Sequence, residues 1–139
     1  VNVIAPNAVI HSMGSIGENC WIADNVVIES NVTIGNNVFV KSKAWIGHYT
    51  TIADHCFIGA ASMVAGKVTI GEQSFIGINA MVFDGVKIGR KCLVGALYLW
   101  SKRSLPDFSS IKLSSAVTEI RQYNEIDIEE KLVAAKNIR

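Results

Sequence analysis

Three histidines and three cysteines are the side chains with the widest chemistry in this 139-residue chain. His48 stands in the run Ile46-Gly47-His48. An imidazole, with an ordinary pKa of about 6.5, is partly unprotonated at neutral pH and can take up and return a proton. His11, His48 and His55 together also match the number of imidazoles that a catalytic zinc site uses. Cys20, Cys56 and Cys92 are 36 residues apart. Equal spacing of that kind points to a longer order in the chain, and that order decides where each group sits.

The order is a six-residue period, unbroken from Ile4 to Val94. Every sixth position is Ile or Val, in all 16 hexads. The next residue is Gly in eight of them, as in Ile34-Gly35 and Ile70-Gly71. A fixed internal period outranks other sequence signals. One hexad fits a short strand and a bend. Strand alternation turns the first and fifth positions inward and the sixth and second outward. Three hexads close a triangular coil of 18 residues. The 16 hexads therefore make an all-β parallel solenoid of about five coils, stacked roughly 4.8 Å apart. It occupies residues 1–99, and residues 100–139 form a C-terminal extension. The cysteines share the fifth position, so they fall in one inward column on alternate coils. Neighbours would be roughly 10 Å apart, beyond the ~7 Å reach of a disulfide. They read as small core residues of a reducing compartment.

Outward residues 18 apart stack into columns. One face carries Trp21, Phe39, Phe57, Phe75 and Leu93. A second carries Val9, Val27, Trp45, Met63 and Met81, beside His11, Glu29, Gly47, Ala65 and Phe83. The third carries Ser15, Thr33, Thr51, Thr69 and Lys87. Two apolar faces and one polar face suit a ring of three subunits, which covers two faces of each and leaves one wet. The corner column Ser12, Ser30, His48, Gly66, Asp84 then lies at the rim of an intersubunit groove. Another corner column, Asp24, Ser42, Ala60, Ile78, Ala96, lies near the proposed threefold axis.

This pattern resembles the hexapeptide-repeat acyltransferases that use acetyl-CoA. The similarity is strongest to the bacterial sialic-acid O-acetyltransferase and UDP-amino-sugar N-acetyltransferase family. It rests on Ile46-Gly47-His48, on Gly66-Lys67-Val68-Thr69-Ile70-Gly71, on Phe75-Ile76-Gly77-Ile78-Asn79-Ala80, and on the exit Val94-Gly95-Ala96. The resemblance implies a left-handed β-helix, a homotrimer and a cytoplasmic enzyme. It implies that His48 is the general base, acting on a hydroxyl or amine of a small acceptor, a sugar or nucleotide-sugar. It implies an acyl-CoA arm between subunits, in contact with Gly66, Ile78 and Ala96, and no metal. Lys102 and Arg103, near the top of the groove, are candidates to attract the CoA phosphates. The chain departs from the family at several points. Tyr49 follows the histidine where the family carries Asp or Glu. Phe57 replaces a second histidine, and Lys41 stands at a position that is often Asn. The family's N-terminal sugar-nucleotide-binding domain has no counterpart here, and the chain begins at Val1 rather than Met, which leaves room for a segment upstream.

Other functions fit less well. A γ-class carbonic anhydrase shares the fold, but it carries a second histidine five residues after the first, where Ala53 stands, and His55 falls on a different corner. A catalytically silent trimeric scaffold needs only the repeat. The Thr column lacks the paired Thr-x-Thr of ice-binding solenoids. Net charge is +1, and the repeat balances six basic against six acidic residues, which gives no reason to expect nucleic acid. No apolar run is long enough to span a membrane, and no signal peptide is visible. In the extension, Trp100–Leu113 reads as irregular. Ala116, Ile120 and Tyr123 have helical spacing, as do Ile128, Leu132 and Ala135. Asp127 with Glu130 resembles a capping box for that second helix.

Overall fold

The computed structural model describes residues 1–11, 14–97, 99–100, 104–105 and 120–122. Through the repeat, each hexad contributes one strand of two residues, or three at Cys92–Val94, and strands 18 residues apart pair in parallel. Three sheets result. The first contains Trp21–Ile22, Phe39–Val40, Phe57–Ile58 and Phe75–Ile76, the second Val27–Ile28, Trp45–Ile46, Met63–Val64 and Met81–Val82, and the third Thr33–Ile34, Thr51–Ile52, Thr69–Ile70 and Lys87–Ile88. The chain is a left-handed parallel β-helix of about five coils, the solenoid following from the period and the hand from the family resemblance.

The inward positions form one continuous core. Ile22, Ile46, Ile58, Ile70 and Ile76 are fully buried, with Val26, Val32, Val38 and Val68 from the fifth position. Polar residues at that fifth position are satisfied by the backbone. Thr50 Oγ1 donates to the Ala65 carbonyl at 3.0 Å, and Ser74 Oγ to the Gly89 carbonyl at 2.8 Å. The cysteines are buried and form no disulfide with one another. Cys20 and Cys56 direct their thiols at the carbonyls of Gly35 and Gly71, at 3.1 and 3.2 Å. Burial pushes the Cys56 thiol up to about 11, which makes it a packing group rather than a nucleophile.

The bends explain the composition of the fourth hexad position. Its backbone is left-handed at every turn from Asn19 to Leu97, with Gly85 filling one of the places. Asn tolerates that conformation better than other non-glycine residues and recurs at 19, 25, 31, 37 and 79. Asn19 also donates to the Asn37 side chain one coil on, at 2.7 Å.

Past the last hexad the chain adds further strands. Leu99–Trp100 and Ser104–Leu105 extend two of the sheets in parallel. Ile120–Gln122 pairs antiparallel with Cys92–Val94. Ile120 is therefore in a strand, not in the helix that the spacing of Ala116, Ile120 and Tyr123 predicts. A terminal strand offers a row of unpaired backbone donors and acceptors, a stronger pull than three apolar positions at helical spacing. Lys102, Arg103 and the expected helix over Ile128, Leu132 and Ala135 lie outside the described residues. Among the described residues, no helix is long and apolar enough to cross a membrane.

Candidate active site

His48 sits on the corner between the strands Trp45–Ile46 and Thr51–Ile52. Backbone hydrogen bonds tie this corner to the coils on either side. Tyr49 N donates to the Ser30 carbonyl at 3.1 Å, Lys67 N to the His48 carbonyl at 2.7 Å, and Gly85 N to the Gly66 carbonyl at 2.9 Å. The column Ser30, His48, Gly66, Asp84 is thus held in register by the ladder, as the 18-residue arithmetic predicts.

The ring is oriented by a residue that the linear sequence does not advertise. Glu29 Oε2 accepts from the His48 backbone N–H at 2.7 Å and lies 3.0 Å from Nδ1. A carboxylate only accepts, so in the neutral imidazole this contact favours the proton on Nδ1 and leaves Nε2 with its lone pair. The two hydrogen bonds, the backbone one first, hold the Glu29 carboxyl below its ordinary value; the charges of His48 and His11 add to this and burial opposes it. Tyr49 does not take the acid's place. Its backbone is left-handed, and its ring meets the imidazole edge-on with centroids 5.8 Å apart.

Gly66 gives the imidazole its space. A Cβ built there would lie 2.6 Å from His48 Cε1 and 2.8 Å from Nε2, closer than side-chain carbons approach one another. The absent side chain therefore keeps Nε2 open. A shallow depression of about 470 Å³ lies in front, lined by His48, Gly66 and Asp84 together with Trp45, Met63 and Ala65. A smaller one of about 210 Å³ lies on the other side of the ring, between His11, Glu29, Ser30 and His48.

The expected cofactor residues divide between corners. Gly66 adjoins His48. Ile78 and Ala96 lie on the corner that follows the strands Phe75–Ile76 and Cys92–Val94, and both are exposed. One chain alone does not bring them to His48. His55 is exposed on a third corner, away from His11 and His48. Among the described residues, no group of three or more His, Cys, Asp or Glu side chains is placed to hold a metal ion. Lys41, at the position that is often Asn in the resembling family, sets its Nζ 5.6 Å over the Trp21 ring.

Comparison with known proteins meets this geometry from the sequence side. Residues 14–48 match the bacterial transferase hexapeptide (six repeats), and residues 67–96 match the hexapeptide repeat of succinyl-transferase. Both segments thus match hexapeptide-repeat transferase models, in agreement with the resemblance read from the hexads. No curated protein sequence matches it. Among solved structures, this hexapeptide-repeat chain is similar to a His-to-Asn mutant of perosamine N-acetyltransferase from Caulobacter crescentus, crystallised with CoA and GDP-perosamine. Identity is 32%, the TM-score is 0.78, and the match covers 86% of this chain and 56% of that one. The acetyltransferase domain of PglB from Neisseria gonorrhoeae, in complex with acetyl coenzyme A, shares the fold at 22% identity and a TM-score of 0.72, over 76% of this chain and 51% of that one. A hexapeptide transferase family protein from Anaplasma phagocytophilum shares it at 17% identity and a TM-score of 0.71, over 98% of this chain and 87% of its own. The chain thus spans just over half the length of the first two.

Proposed function

We propose that the chain is an acyltransferase that moves the acetyl group of acetyl-CoA to a hydroxyl or amine of a sugar, with His48 as general base. The observation that carries this is the Glu29–His48 pair. In the neutral ring it favours the proton on Nδ1, which leaves Nε2 to act as base, and His48 lines an open depression. The similarity to an acetyltransferase crystallised with CoA and a nucleotide sugar supports the choice of both substrates.

The chemistry is short. The acceptor's nucleophilic atom donates its hydrogen to Nε2, and its lone pair attacks the thioester carbonyl carbon. As the tetrahedral adduct collapses, the C–S bond breaks. His48 takes the acceptor's proton and returns it to the departing thiolate. Glu29 stabilises the imidazolium that exists between those two transfers.

The active form is a homotrimer in this reading. Trp21, Phe39, Trp45 and Met63 are 42–45% exposed in the isolated chain, and they form two ladders too apolar to face water. Association would cover them. It would also bring the Ile78 and Ala96 corner of one subunit beside the His48 corner of the next, so that the acyl-CoA arm lies between subunits. Lys102 is assigned to the CoA phosphates on charge alone.

The test has two parts. Calorimetry should find a CoA site, and thiol release from acetyl-CoA should depend on an added sugar acceptor, with GDP-perosamine the first to try. A chain that binds no CoA, or a thiol release that persists at the wild-type rate in His48→Ala, overturns the reading.

A further inference from the structure

We infer that Tyr49 is a specificity-determining residue. Its exposed ring is a platform for the C–H face of the acceptor's own sugar ring, and it selects a cyclic acceptor over an open-chain one with the same reacting group. The inference rests on the acyltransferase reading and narrows its acceptor. Its starting point is a residue that the fold does not ask for. Among the described residues, thirteen non-glycine residues hold a left-handed backbone at the bends, and Tyr49, with a φ of 57°, is the sole Tyr, Phe or Trp of the set. A bulky side chain is an outlier in that conformation. Backbone outliers of this kind gather at active sites and ligand clamps.

Packing gives no reason for the ring. Tyr49 is 61% exposed and lies outside the core. Its backbone N–H donates to the Ser30 carbonyl, a bond that any residue but proline would make. Among the described residues its side chain makes no hydrogen bond, and its one ring partner is His48, with planes 85° apart. At that angle the imidazole covers at most one face of the phenol. Nor is Tyr49 needed to orient the base, because Glu29 holds Nδ1. It stands on the side of the corner that leads to Thr51–Ile52. Trp45, Met63 and Ala65, which wall the larger depression, belong to the other side. In the trimer reading the acyl-CoA arm lies between subunits on the Trp45 side, which leaves the Tyr49 side to the acceptor.

Distance decides which part of the acceptor meets the phenol. The reacting atom must come to about 3 Å from Nε2. The phenol centroid is 5.8 Å from that of the imidazole. What rests on the phenol is therefore the ring that bears the reacting atom, not a nucleobase held beyond two phosphates. A pyranose suits this surface. Its C–H bonds line its faces and its hydroxyls line its rim. The face of an aromatic ring is its negative side, so it takes the polarised C–H hydrogens while the rim stays in water. A closed ring presents those hydrogens together and already ordered. An open chain must give up rotational freedom to do the same, which weakens its binding. Tyr49 thus discriminates by shape, and the effect falls on binding rather than on the chemical step.

The experiment measures thiol release at saturating acetyl-CoA with three acceptors. They are GDP-perosamine, the methyl glycoside of perosamine, and the open-chain amino-alditol made by reducing free perosamine. The alditol should have the highest KM in the wild type. Tyr49→Asn places at the bend the residue that recurs there, so its urea midpoint should be no lower than that of the wild type. It should raise KM about 10-fold for both cyclic acceptors and leave the alditol unaffected. It should lower kcat less and leave CoA affinity, read by calorimetry, unchanged. Tyr49→Phe, which keeps the ring face, should recover most of the loss. Wild-type KM values in Tyr49→Asn would overturn the inference. So would a fall in kcat at unchanged KM, which marks a ring that only steadies His48. A loss confined to GDP-perosamine, which marks a stacked base, or turnover of neither cyclic acceptor would overturn it as well. CoA binding and the His48→Ala rate decide separately whether the acyltransferase reading stands.

Discussion

Glu29 Oε2 holds His48 at two points, the backbone N–H at 2.7 Å and Nδ1 at 3.0 Å. One carboxylate oxygen thus fixes both the corner and the ring that projects from it. The Glu29 side chain is 29% exposed and that of His48 is 49% exposed, so the acid is the better sheltered of the two. A sheltered acid that orients an exposed base suits a ring that must meet substrate without swinging.

Glu29 is accordingly a positioning residue. Glu29→Gln should preserve the coil and the CoA site, and lower kcat about 10–100-fold, the effect of losing a charge-assisted hydrogen bond. The decisive readout is the imidazole itself. Nitrogen NMR of His48 should show the proton on Nδ1 in the wild type and a mixed tautomer in the variant. An unchanged tautomer and an unchanged pH–rate profile would show that Glu29 only fills space.

The same pair makes a statement about acid. The Glu29 carboxyl is lowered from its ordinary 4.5, chiefly by the His48 backbone N–H. A carboxyl depressed in the folded state adds stability above its unfolded value and loses it as pH falls through the folded one. The difference in urea midpoint between wild type and Glu29→Gln should therefore be present at about pH 5 and above, where the carboxyl is ionised in both states. It should close at lower pH. A difference that persists undiminished at pH 3 would mean the charge is not what stabilises this corner.

The sequence carries the solenoid, its core and its faces, because a period of six with inward Ile and Val closes into three-sided coils; the hand of the coil comes from the family resemblance. The position of His48 in a column with Gly66 and Asp84 follows from the same count. Glu29 has no mark in the linear sequence near His48. The family's acid is the next residue along the chain, and here that residue is Tyr49. In a coil of 18, the residue 19 back lies one coil below and one place behind, and its side chain reaches the corner as readily. Ile120 escaped for a different reason. Its strand depends on the open edge at Cys92–Val94, which is created by the fold and has no local signal in the tail.

Oligomeric state is testable on the apolar ladders. Sedimentation equilibrium should give three times the chain mass at micromolar concentration. Trp45→Asp, on an exposed position of the second face, should dissociate the trimer, since the interface would then bury a charge with no partner. Phe57→Asp should do more harm, because Phe57 stacks on Phe75 with centroids 4.6 Å apart and planes 3° from parallel. A monomeric wild type would remove the basis for an intersubunit site.

Gly66 and His48 separate ring placement from ring chemistry. His48→Ala removes the base and should lower turnover roughly 10²–10⁴-fold, with CoA binding intact. Gly66→Ala keeps the base but puts a methyl 2.6 Å from Cε1, so the ring must rotate away and break its bond to Glu29. Its kcat should fall toward that of His48→Ala. The double variant should then be no slower than His48→Ala alone, because a displaced ring and an absent ring fail at the same step. If instead Gly66→Ala weakens CoA binding and leaves kcat untouched, the glycine serves the pantetheine arm and not the imidazole. The column at this corner would then be a cofactor wall, with His48 reaching its substrate from the other side, through the depression shared with His11 and Ser30.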